Sequence, residues 1–222
     1  MTDLLPLFPL PGVVLFPGAE IPLHIFEPRY CELIRHATDA KLPIGLVLLK
    51  PGFQENYEGT PEIFSVGCMG DIAACESLPG GRYNLLLKGA ARFQVLREDH
   101  SRVFRQAEYR LLPDLDTDPL LYALEPLLKR ELLGAFLALG AAATGDALIP
   151  PPGTPDAALG DLANLLAFAF PGTAQRRQAL LEMNNPYDRA FALRVSLHEM
   201  TDAIRKEKGL QAAGSSDRSE MN

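Results

Sequence analysis

Up to Leu112 the apolar positions come in short runs cut by Gly or Pro, and beyond Asp114 they come in long Leu- and Ala-rich stretches with helical spacing. The first texture predicts strands near 4–8, 12–16, 21–26, 43–50, 63–77, 82–89, 91–98 and 103–112. A period of two is visible where Phe93 and Val95 alternate with Arg92, Gln94 and Leu96, and again where Ala107, Tyr109 and Leu111 alternate with Glu108 and Arg110. Leu78-Pro79-Gly80-Gly81 supplies the residues of a positive-φ turn, so the strands on either side of it are expected to form an antiparallel hairpin. Many short strands between turn signals point to a closed or nearly closed β-barrel, which removes open edges. One short helix interrupts the pattern, with Pro28 suited to its first position and no breaker from Arg29 to His36.

The second half reads as four helices. Asp118 is placed to cap the first, with Pro119 following it, and Leu120, Leu124, Leu127 or Leu128, Leu132, Phe136 and Leu139 give it an apolar face. Pro126 conflicts with one continuous helix, so either a kink lies there or the helix begins near Glu125. The proline-rich run Ile149 to Pro155 is a stiff connector, after which Asp156 starts an Ala/Leu helix to about Phe170. Thr173 caps the next helix, through Met183, and Asn184 or Asn185 caps the last, with Pro186 inside its start. In that last helix Ala190, Leu193, Leu197, Met200 and Ile204 form a stripe expected to be buried. The expected division is therefore a barrel subdomain over 1–113, a helical subdomain over 114–208 and a disordered polar tail over 209–222.

Composition narrows the classes. The 222 residues carry a formal charge of -7, which disfavours phosphate backbones and anionic membrane surfaces as partners. Three cysteines, an odd number, fit a cytoplasmic chain with reduced thiols better than a disulfide scaffold. The opening residues have no basic n-region, and prolines interrupt any apolar core of a signal peptide. No P-loop, no dinucleotide-binding glycine run and no Gly-x-Ser-x-Gly elbow occurs. His198 and Asp202 share a helical face but lack a third ligand, and Cys68 and Cys75 read as buried structural thiols, so neither a metal nor a cofactor is expected. The basic residues Arg82, Lys88, Arg92, Arg97, Arg102, Arg105 and Arg110 read as solvated strand faces rather than as a nucleic-acid track.

The most distinctive segment runs Leu5-Pro6-Leu7-Phe8-Pro9-Leu10, then Val13 to Gly18, then Ile21-Pro22-Leu23-His24-Ile25-Phe26-Glu27-Pro28-Arg29-Tyr30. With Ile44 to Val47, Val66 to Ile72, Gly80 to Phe93, and Gln178 to Met183 followed by Arg189, it resembles the N-terminal substrate-binding domain of the ATP-dependent Lon proteases, in particular the stand-alone bacterial form. The resemblance covers about Leu4 to Lys208 and implies an α+β fold, a PUA-like and mostly antiparallel β-barrel followed by a helical bundle. Full-length members continue into an ATPase module and a protease module with a Ser-Lys dyad, which this chain does not reach, so no catalytic residue and no enzymatic activity are expected.

The resemblance implies a module that binds unfolded or exposed segments of other proteins and cooperates as an adaptor with a separate protease or chaperone. The candidate binding residues come from the motif: Phe16, Pro22, His24, Phe26, Glu27, Arg29 and Tyr30, with Phe16, Phe26 and Tyr30 lining a cleft. Locally, Glu27 meets the positive end of the helix that follows, Arg29 pairs with Glu27 or a barrel carboxylate, and Tyr30 covers the barrel end. A purely structural role for this junction stands beside the binding role. Two rival readings remain, an RNA-binding PUA-like protein, and a small-molecule-binding or metal-dependent enzyme using His24, His100 or His198.

Overall fold

The computed structural model describes residues 4–57, 59–115, 119–146, 149–154 and 157–219, with the backbone alone at 119–120 and 210–219. Asp118 and Asp156, expected to begin two helices, lie outside the described residues, as do residues 220–222 of the expected tail; across the rest of that tail the backbone of the last helix continues to Ser219. The chain divides into two units. One comprises Met1–Leu115 with Ala167–Asn184, the other Asp116–Leu166 with Asn185–Asn222.

The first unit is built on six strands, β1 (Leu5–Leu10), β2 (Glu20–Ile25), β3 (Ile44–Leu48), β4 (Val66–Leu78), β5 (Arg82–Asp99) and β6 (Gln106–Leu111). They lie in the order β2-β5-β4-β3-β1-β6, and a further pairing of β5 with β6 returns the sheet on itself. All pairs are antiparallel except β1 with β3. The class is α+β, as expected, but the sheet is a mixed one and not a regular barrel, because β2 hangs outside the ring on the first half of β5.

Two departures from the predicted strands have local causes. The run 12–16 is not a strand; Gly12 has φ of 74°, and Val14, Leu15 and Phe16 are apolar because they are buried as irregular chain. The predicted strands 82–89 and 91–98 are one strand, with β2 on the first part and β6 on the second. β1 carries Pro6 and Pro9 although it lies between two neighbours. It changes partner midway: Pro6 pairs with Gln106 of β6 and Pro9 with Val47 of β3, so each proline is flanked by one strand and its missing N–H costs at most one ladder bond. Inside the ring Leu5, Leu7, Val47, Leu49, Met69 and Phe93 form the core.

Helix α1 (Pro28–Ala40) starts with proline in its first turn and buries Tyr30, Leu33, Ile34 and Ala37, a stripe at steps of three and four. It ends at Lys41, whose φ of 54° is left-handed and whose N–H closes on Ala37 and Thr38. In the second unit α2 (Pro119–Tyr122) and α3 (Glu125–Thr144) are separate, so Pro126 falls in the first turn of a new helix. The chain continues through α4 (Leu159–Ala169), α5 (Ala174–Glu182) and α6 (Pro186–Ser219). Thr173 caps α5 by accepting from the Arg176 N–H at 3.2 Å. Within the second unit α3 packs along α6, and both helices bury apolar side chains, Leu132, Phe136 and Leu139 on α3 and Ala190, Leu193 and Leu197 on α6.

Arg92, expected on a solvated face, is instead buried in the first unit. Its Nη1 donates to the carbonyls of Leu181 and Met183 and to Asn184 Oδ1, and its Nη2 to Pro113 O and Asp114 Oδ1. A guanidinium spreads five donors in a plane, which suits it to gather two chain segments at one point. Cys75 also departs from expectation. Cys68 is buried, but β4 runs on beyond the core and leaves Cys75 exposed.

Candidate functional site

The Pro22–Tyr30 motif straddles the turn from β2 into α1. β2 lies antiparallel to β5 with His24 opposite Asn84, and β5 lies antiparallel to β4 with Asn84 opposite Glu76. Three polar side chains therefore line up across three strands. Asn84 Nδ2 donates to Glu76 Oε2 at 2.9 Å, which turns Asn84 Oδ1 toward His24 and makes His24 Nδ1 the donor of the second 2.9 Å bond. Pro22, Ala74 and Leu86 add apolar surface beside this row, and together these side chains line a groove of about 510 Å³. The Phe26 ring, stacked 6.1 Å from that of His24, is 64% exposed, an unusual placement for a large apolar side chain.

The remaining motif residues hold this surface in place. Glu27 is the residue before α1 and caps no backbone N–H with its side chain. Its Oε2 accepts from Arg29 Nε at 3.1 Å and Nη2 at 2.9 Å, and its Oε1 accepts from the Tyr57 hydroxyl at 2.8 Å. The Arg29 guanidinium lies 4.8 Å from the Tyr30 ring centre and 5.1 Å from that of Tyr57. Tyr30 is buried, packs on Phe8 and donates to Pro9 O at 3.1 Å. Burial, eased by Arg29, pushes its phenol up to about 12. Phe16 has no exposed surface.

Of the seven motif residues, then, Pro22, His24 and Phe26 share the groove and its rim, Glu27 and Arg29 form an ion pair at the helix start, and Phe16 and Tyr30 lie in the core. Sequence reasoning missed Ala74, Glu76, Asn84, Leu86 and Tyr57. A polar Asn84 inside an apolar strand run was a usable signal; Tyr57 had none, lying 30 residues from its partner Glu27.

The basic segment of β5 and β6 is occupied by contacts of its own. Lys88 pairs with Glu20, Arg97 with Glu108, Arg105 with Glu98, and Arg110 donates to Gln94. Among the described residues no group of three or more His, Cys, Asp and Glu is placed to hold a metal ion, and no helix is long and apolar enough to cross a membrane. The helical unit carries a second apolar surface, a hollow of about 320 Å³ with Leu124, Leu127 and Phe191 open to solvent and the Arg194–Glu131 pair at its border.

The chain is 24% identical over 230 residues to the Lon protease of Syntrophus aciditrophicus, an alignment that takes in all of this chain and 27% of that protein. It spans about a quarter of the length of the curated relatives it matches, or less. The crystal structure of the Lon N-terminal domain protein from Xanthomonas campestris superposes with a TM-score of 0.57 at 26% identity, covering 86% of this chain and 96% of that one. The N-terminal domain of the Mycobacterium avium complex Lon protease superposes with a TM-score of 0.65 at 17% identity, covering 90% and 98%, and bears on the fold alone. Residues 4–198 match the ATP-dependent protease La (LON) substrate-binding domain, so a ring of strands with β2 set outside it, and the motif at the turn into α1, belong to a chain that is a member of that family.

Proposed function

We propose that the protein is a non-catalytic binding module that holds exposed, extended or unfolded segments of other proteins in the cytoplasm and, as an adaptor, presents them to separate proteolytic machinery. The observation that carries this reading is the match of residues 4–198 to a substrate-binding domain. The site supports it: the groove joins apolar Pro22, Ala74 and Leu86 to a hydrogen-bonding row, with Phe26 open at the rim, and such a surface suits a chain that offers both apolar side chains and backbone groups.

The test is fluorescence anisotropy with labelled, reduced and carboxymethylated α-lactalbumin, a permanently unfolded chain. The native protein is expected to bind it, and Phe26→Ala to bind at least several-fold more weakly with an unchanged unfolding temperature, since an exposed ring contributes little to folding. Absence of binding by the native protein would overturn the reading. Addition of the protein to a Lon protease reaction is expected to speed degradation of the same client, and no change in that rate would remove the adaptor role.

A further inference from the structure

The groove stands on a three-stranded arm, β2-β5-β4, that has two outer edges, and the two edges differ. β2 carries Pro22, which has no N–H, and a proline within a strand turns its nitrogen away from the neighbouring strand. The β2 edge is thus interrupted at its middle. β4 is covered by β3 only from Cys68 to Gly70, and among the described residues no strand pairs with its outer side from Ala73 to Leu78. Residues 73–77 are all exposed.

Which backbone groups of β4 face outward follows from β5. Gly89 of β5 donates its N–H to Ala19 O at 2.8 Å, so it turns toward the β2 side, and by alternation Leu87, Leu85 and Tyr83 do the same. Leu86 and Asn84 then turn to β4, where they face Ala74 and Glu76. Cys75 and Ser77 are left with N–H and C=O directed to the open side, and both carry small, exposed side chains. An uncovered edge of this kind templates one more strand.

We propose that this edge of β4, Ala73 to Leu78, is where an extended client segment docks, by adding a strand antiparallel or parallel to β4. The inference rests on the binding role proposed above and names its mode. Six residues of edge are roughly 20 Å of strand, a common strand length. The charge selects the occupant. Asp71 precedes the edge and Glu76 lies within it, and among the described residues neither forms an ion pair, so the segment that fits carries Lys or Arg beside small or β-branched residues. A second copy of this chain is the poorer occupant, because it would bring a second Asp71 and Glu76 against the first.

The experiment uses fluorescein-labelled ten-residue peptides with alternating valine and threonine and a lysine at each end. Ser77→Pro removes an outward N–H and leaves the ladder to β5 intact, so the variant is expected to unfold at nearly the native temperature and to bind at least tenfold more weakly. Independently, peptides N-methylated at single positions are expected to lose binding to the native protein with a period of two; this arm needs no variant to fold. If the native protein binds no unfolded chain at all, the binding role falls and this mode with it. If it binds, but neither Ser77→Pro nor N-methylation weakens binding, the edge is not the dock while the binding role stands. A concentration-dependent dimer abolished by Ser77→Pro would assign the edge to a second copy and overturn the proposal.

Discussion

Glu27 draws together groups that lie far apart in the chain. Its carboxylate takes Arg29 on one oxygen and the Tyr57 hydroxyl on the other, so the loop carrying Tyr57 is tied to the start of α1, and Phe26 immediately before it is held outward rather than folded into the core. Tyr30 is anchored from the inside, by Phe8 and by Pro9 O. Burial favours its neutral phenol, with a folded-state value of about 12 against an ordinary value of 10.0. A raised value means the folded state holds the proton more tightly, so the stability from this group is fully present below about pH 10 and is lost as pH rises toward about 12. Tyr30→Phe is expected to lose about 1 kcal/mol at neutral pH, the net worth of one hydrogen bond, and to flatten the alkaline decline. Urea unfolding at neutral pH and again between about pH 10 and 12 checks both; an undiminished alkaline decline would transfer it to other tyrosines, Tyr57 among them. The Glu-Pro-Arg-Tyr run was legible as a junction, since a proline after an acidic residue marks a helix start. The partners were not, because Tyr57 and Pro9 reach it only through the packing of separate segments.

At the scale of elements, β5 does the most. Its first half carries β2 and the groove, its second half closes the sheet on β6, and Gly89 marks the change. A methyl group there would stand 2.0 Å from the Phe16 carbonyl oxygen, a backbone atom of the segment whose Gly18 and Ala19 bond to Gly89. Gly89→Ala is expected to cost at least about 2 kcal/mol and to free the 16–19 segment, read as a lower urea midpoint together with faster amide exchange at Gly18. The hairpin at Leu78–Arg82 was readable because Gly80 and Gly81 supply its positive φ angles. Reading 12–16 as a strand failed for a general reason. Val14, Leu15 and Phe16 are apolar because they are buried, and burial does not require a ladder.

In the whole molecule the sheet unit is discontinuous in sequence, since Ala167–Asn184 belongs with Met1–Leu115. Arg92 shows why. It takes Pro113 and Asp114 from one passage and Leu181, Met183 and Asn184 from the other, while Gln178 Nε2 donates to Val66 O at 2.9 Å. A fragment ending at Leu115 leaves a buried guanidinium without its acceptors at Leu181, Met183 and Asn184, a defect of about 3–5 kcal/mol, a large part of the stability of an ordinary domain. Such a fragment is expected to bind ANS and to unfold without a cooperative transition; a sharp transition near that of the full chain would show that Ala167–Asn184 is dispensable to the sheet.

Legible in the chain alone were the α+β class, the change of texture near Leu112, the starts at Pro28 and Thr173, and the motif that marks the family, whereas at Pro126 a kink and a new start near Glu125 were equally open until the structure separated α2 from α3. Each of the legible features is local, set by turn residues, caps and spacing within a few positions. Long-range packing alone sets β2 outside the ring, buries Arg92 while leaving Cys75 exposed, and brings His24, Asn84 and Glu76 into one row. Those facts depend on strand register and on which segments return to the sheet, and both arise from pairings between residues that are distant in the chain.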